Sequence, residues 1–187
     1  MGKTFLVRQF AQDQYEHYVE INFDETPGRR ELFRHESIDR IIEYISLDTG
    51  IPIIPDRTLI FLDEIQRAPK IFAKLRYFYE KRNAIHIIAA GSLLDFILAD
   101  HTFSMPVGRI EYLYMGPMNF TEFLSALDNG PLILFIERFK IGDQVPAPIH
   151  EKLLDLTRLY MGIGGMPAVV REYVQSGPLS QCERELS

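Results

Sequence analysis

Near its start the chain reads Gly2-Lys3-Thr4, the last three positions of GxxxxGK[ST], the spacing at which a glycine turn and the first turn of a helix grip phosphate. Each residue type has its own task in that chemistry. Backbone amides at a helix N-terminus point at phosphate oxygens, the Lys3 ammonium neutralises the β and γ oxygens, and the Thr4 hydroxyl is a ligand for Mg2+. Three residues recur by accident, so the signal needs company. It comes at TLIFLDEIQ, where an apolar run from Thr58 to Leu62 delivers Asp63 and then Glu64. A strand-end Asp can hold the Mg2+ shell, and a neighbouring Glu can polarise the water that attacks a phosphoryl group. The competing reading is a surface acidic pair where a strand meets a turn. Occurring together, the two motifs favour phosphate chemistry, because both would sit at the C-terminal edge of one sheet.

Two further positions carry less information. Ser92 ends the run IHIIAAGS and could present its hydroxyl to a γ-phosphate or to the attacking water; a plain Gly-Ser turn explains it equally well. Arg109, in PVGRIEYLYM, could offset charge on a phosphoryl group in transit, but an arginine opening a strand is more often solvated or paired on the surface.

The elements that must position these residues follow from periodicity. Phe5, Leu6, Val7, Phe10 and Ala11 predict a largely buried helix from Lys3 to Gln12, and YVEINF over residues 18–23 predicts a strand. A loop from Asp24 to Arg30 follows. Ser37 can cap a helix whose Ile38, Ile41, Ile42 and Ile45 share one face, until Gly50, Pro52 and Pro55 break it. Thr58 to Leu62 reads as a central strand covered on both faces. Pro69 opens a helix with an Ile71, Leu75 and Phe78 stripe, Ile85 to Ala90 gives a third strand, and Arg109 to Tyr114 a fourth. Strands separated by helices indicate crossover connections, hence an α/β fold with a mostly parallel sheet flanked by helices. From Asn119 onward the pattern is helical throughout, a C-terminal annex.

Composition bounds the function classes. With 187 residues, 47% of them apolar, the chain can bury a substantial core, and no apolar run approaches the roughly 20 residues of a membrane span. The lone Cys182 cannot form an internal disulfide, and the five histidines have no ligand-like spacing, which argues against a zinc site and for a cytoplasmic setting. A net charge of -6 gives no overall attraction to nucleic acid. Lys70, Lys74, Arg76, Lys81 and Arg82 make one basic helix, which a solvated face explains most economically.

GKT, TLIFLDEIQ, the strand ending AAGS, the GR before an aliphatic strand leading to GPMNFTEFL, and GIGGMPAVV together resemble the prokaryotic AAA-superfamily ATPases that carry a C-terminal domain of unknown function. The similarity runs over nearly the whole chain. It implies a P-loop NTPase-like core over residues 1–118 and, over 119–187, a helical annex with the start of the C-terminal domain. It also implies Gly2, Lys3 and Thr4 for nucleotide, Thr4 and Asp63 for Mg2+, Glu64 for water activation and Ser92 for sensing. Arg109 matches the GR position, and Phe120, Glu122 and Phe123 look structural. The ligand implied is ATP with Mg2+, the output a conformational change in a larger protein, with an unidentified protein partner and possible homo-oligomers. The family also has a strand and five loop residues ahead of GKT that this sequence does not contain, so the expectation is a core lacking its first strand and an impaired ATPase. Two alternatives stand beside it: a catalytically silent fragment acting as an interaction module, and a small-molecule P-loop kinase, which would need an acceptor site and a lid.

Overall fold

The computed structural model describes residues 2–91 and 108–176, which divide into two compact units, one spanning Gly2–Leu113 and a second beginning at Tyr114. Ser92, His101 and Cys182 lie outside the described residues.

The first unit is an α/β layer structure. Helix α1 (Lys3–Gln14) leads into strand β1 (His17–Asn22); a 3-10 segment (Pro27–Phe33) and helix α2 (Ile38–Thr49) follow, then strand β2 (Thr58–Asp63). A short 3-10 turn (Ile65–Arg67), helices α3 (Pro69–Phe72) and α4 (Leu75–Lys81), and strand β3 (His86–Ala89) complete it. The sheet is parallel throughout, in the order β1-β2-β3, with Asn22 beside Asp63 and Leu62 beside Ala89. All six residues of β2 are buried, as a central strand requires.

The period-2 alternation of a strand decides what each face does. Val19, Ile21, Ile60 and Leu62 share one face and build the main core with Ile38, Ile41 and Ile45 of α2 and with Ile71, Leu75 and Phe78. Tyr18, Glu20, Phe61 and Asp63 share the other, where the Tyr18 and Phe61 rings stack with centroids 6.5 Å apart. Helix α1 is fastened to this second face along its whole length. Thr4 bonds Asp63, Arg8 makes two hydrogen bonds to Glu20 at 2.7 and 2.8 Å, and just past the helix the Tyr15 hydroxyl lies 2.7 Å from Nδ1 of His86.

Four sequence expectations are corrected here. Helix α1 forms where predicted, but Ala11 is its sole buried residue, and Phe5 is 71% exposed. Its apolar residues are spread around the helix rather than along one stripe, and polar ties hold it to the sheet. The segment after β1 is a 3-10 turn opened by Pro27 rather than a loop. The helix expected from Pro69 is broken in two: Lys74 N–H bonds the Ile71 carbonyl and Tyr77 N–H the Lys74 carbonyl, the tighter i to i+3 pattern. Finally, Arg109 to Tyr114 is not a strand. Glu111 to Tyr114 is exposed and pairs with no strand among the described residues, so the alternation in the sequence has no ladder to join.

In the second unit, helices α5 (Phe120–Ala126), α6 (Gly130–Arg138), α7 (Ala147–Ile163) and α8 (Pro167–Ser176) surround a small core of Phe123, Ile163, Val169 and Val170. Asn119 and Glu122 form a reciprocal capping box at the start of α5: Glu122 N–H donates to Asn119 Oδ1 at 2.9 Å, and Asn119 N–H to Glu122 Oε2 at 2.7 Å. The glycine pair of GIGGMP has a packing reason. Met118 N–H donates to the Gly165 carbonyl at 2.7 Å, and a β-carbon at Gly165 would lie 2.1 Å from the Met118 oxygen. Tyr160 secures the same junction by donating its hydroxyl to the Met118 carbonyl at 2.7 Å. No helix among the described residues is long and apolar enough to cross a membrane.

Candidate nucleotide site

Gly2 takes the left-handed conformation, φ 70°, immediately before α1, a turn that glycine makes without steric cost. The turn starts the helix at Lys3 and leaves its first amides without intrahelical partners, as at any helix N-terminus.

Thr4 Oγ1 donates a 3.0 Å hydrogen bond to Oδ2 of Asp63. The two residues are 59 positions apart in sequence and meet because α1 packs on the odd-numbered face of β2. Asp63 is only 5% exposed, and each part of it is held. Its backbone carbonyl accepts from Phe23 N–H at 3.1 Å, and its second carboxylate oxygen accepts from Glu64 N–H at 3.0 Å. Lys3 reaches over the end of β3, donating its ammonium to the Gly91 carbonyl at 2.7 Å. The P-loop residues and the acidic strand are thus brought together, and the end of the third strand joins them.

Glu64 occupies the left-handed region with φ 52° and ψ 43°, uncommon for a residue with a side chain. Two contacts fix it there. Ile65 N–H bonds the Ala90 carbonyl at 3.0 Å, and the Gln66 side-chain amide donates to the Glu64 carboxylate. Gln66 carries one signal in the sequence, its place two residues after Glu64 in DEIQ. The Gly91 carbonyl carried no such signal, since every residue has one.

Arg109 lies in a different setting. Its guanidinium pairs with Glu80 of α4 at 2.7 Å, a carboxylate that also accepts from Arg76 at 2.9 Å. Those arginines, Arg76 first, hold the Glu80 carboxyl below its ordinary range. Beneath α1, the Arg8 hydrogen bonds likewise lower the Glu20 carboxyl. Burial, followed by the hydrogen bond to Glu20, raises the Tyr18 phenol, so it stays a donor to that carboxylate at 2.7 Å.

The donor set fits a magnesium nucleotide. A hydroxyl and a carboxylate are hard oxygen ligands of the kind Mg2+ takes, and a lysine beside them supplies the countercharge for phosphate. Neither curated proteins nor solved structures provide a significant match to the chain. The model of one family, described as AAA domain, matches residues 1–124, about two thirds of the sequence. The chain belongs to the AAA domain family, and the matched residues 1–124 are a nucleotide-binding domain of that type.

Proposed function

We propose that this protein binds ATP with Mg2+ and hydrolyses it, coupling hydrolysis to a change of shape. The observation that carries the reading is the Thr4 to Asp63 hydrogen bond with Lys3 alongside, since it brings together from distant parts of the chain the residue types that would hold Mg2+ and phosphate. Thr4 and Asp63 would hold Mg2+, and Lys3 with the first amides of α1 would hold the phosphates. When bound, MgATP supplies an activated phosphoryl group. The chain's own part is to orient and polarise a water. Glu64 is the residue for that task, with Gln66 positioning its carboxylate. Ser92 remains the candidate sensor and Arg109 a candidate for transition-state charge, the latter requiring release from Glu80. The left-handed Glu64, fixed beside an Asp that is already committed to Thr4, favours a hydrolase over a kinase, which would need an acceptor site instead.

The test is ATP binding and phosphate release by the full-length protein, with and without Mg2+, beside Lys3→Ala. Loss of nucleotide affinity by at least about tenfold in the variant is expected. Equal binding by both proteins, or no binding by either, would reject the reading.

A further inference from the structure

A pocket of about 610 Å³ opens in the first unit between the Pro27–Phe33 turn and the stretch from Arg67 to Lys74. It shares no residue with Lys3, Thr4, Asp63 or Glu64, and nothing in the nucleotide reading uses it. Its lining contains five cations, Arg30, Arg34, Arg67, Lys70 and Lys74, against one acid, Glu31. In a chain of net charge -6 that concentration is unusual, and the ion pairs around it show which charges are available.

Arg34 is neutralised by Glu31 at 2.8 Å and Arg67 by Asp24 at 3.0 Å. The other three have no countercharge among the described residues. Lys74 donates to the His35 backbone carbonyl at 2.8 Å, which satisfies a hydrogen but not a charge. Lys70 is exposed at the rim. Arg30 donates one terminal nitrogen to the Phe23 carbonyl at 3.1 Å, and its Nε is buried without a hydrogen-bond partner. A guanidinium N–H removed from water and left without an acceptor is costly unless a ligand supplies one. Pro27 and Pro69 form the accessible apolar part of the lining, backed by the buried Phe33, Ala68 and Ile71.

We propose that this pocket binds a small phosphate-bearing molecule, with Arg30, Lys70 and Lys74 on the phosphate and the apolar wall at Pro27 and Pro69 against its less polar part. Size and charge select this class. The volume is that of a small-molecule site, and three of the cations that could extend a basic track beyond it are already paired, Arg29 with Asp48, Arg76 with Glu80 and Arg82 with Asp39. A nucleic-acid strand would need that track. A single carboxylate offers one charge to three cations, whereas a phosphate group offers up to two charges and three acceptor oxygens.

The experiment is calorimetric titration of the full chain with pyrophosphate as the probe, in the wild type, in Lys3→Ala, in Arg30→Gln/Lys70→Gln and in Lys70→Glu. Binding that persists in Lys3→Ala and weakens about tenfold or more in the double variant is expected, with Lys70→Glu weakening it by several-fold. Lys70 is exposed, so the single variant carries the test even where the double variant fails to fold. Absence of pyrophosphate binding up to about 10 mM, or binding abolished by Lys3→Ala and indifferent to Lys70→Glu, overturns the proposal. Failure of the nucleotide reading is seen separately, in ATP titrations of the same Lys3→Ala protein.

Discussion

Thr4 and Asp63 are joined by a 3.0 Å hydrogen bond that staples α1 to the end of β2, and the acceptor belongs to a residue that is only 5% exposed. Thr4→Val keeps the shape of the side chain and removes the donor. The expected cost is about 1–3 kcal/mol of folding free energy, from leaving one carboxylate oxygen without that partner. Urea denaturation of Thr4→Val, Asp63→Asn and the double variant measures it. Additivity of the two single effects within about 0.3 kcal/mol would show that the bond contributes nothing of its own.

Glu64→Gln separates binding from chemistry. The amide is nearly isosteric and cannot accept a proton, so nucleotide affinity should stay within a few-fold while phosphate release falls about 10²- to 10⁴-fold. A variant that hydrolyses ATP at the wild-type rate would remove Glu64 from the mechanism.

Acid should loosen the contact between α1 and β1 in a defined direction. Hydrogen bonds from Arg8 lower the Glu20 carboxyl from its ordinary value of 4.5, so the bridge stabilises the fold fully above that value. Its contribution disappears as pH falls through the lower folded value. Arg8 is more than half exposed, so solvent screening keeps the contribution below about 1 kcal/mol. The difference in urea midpoint between wild type and Glu20→Gln should be present at neutral pH and shrink as pH falls below 4.5. A difference independent of pH contradicts this assignment.

Gly165→Ala tests the second unit. The added methyl group would meet the Met118 carbonyl at 2.1 Å, and because that neighbour is backbone the junction itself must shift. A loss of about 1–3 kcal/mol is expected, accompanied by faster hydrogen exchange at the Met118 amide, whose acceptor is the Gly165 carbonyl. Unchanged exchange at Met118 would mean that the junction absorbs the methyl group without strain.

The sequence made some of this legible and hid the rest for physical reasons. A central parallel strand buried on both faces leaves an unbroken apolar run, so β2 and the acids at its end could be read directly from TLIFLDEIQ. Regular β-branched spacing gave α2 its correct face, with Ile38, Ile41 and Ile45 all buried. Contacts made by backbone atoms leave no such trace, which is why the Gly91 carbonyl under Lys3 went unseen. The break after Phe72 was equally hidden, since the Ile71, Leu75 and Phe78 stripe suits one helix or two. Arg109 shows the limit of reading a charge by type alone: nothing in PVGRIEYLYM reveals that Glu80 is within reach.

The alternation along β2 has a further consequence. Asp63 faces Thr4 because it lies an odd number of steps from Thr58, whose side chain bonds the Pro52 carbonyl and the Ile54 amide and thereby anchors the strand's beginning. The strand behaves as a counted ruler between that anchor and the carboxylate. Adding or deleting one residue inside it would swing the carboxylate into the layer of Ile60 and Leu62 and turn a leucine towards α1. Length changes in this protein should therefore accumulate in the loop before Thr58 or beyond Arg67, while the six positions between Thr58 and Asp63 keep their number even where their side chains drift.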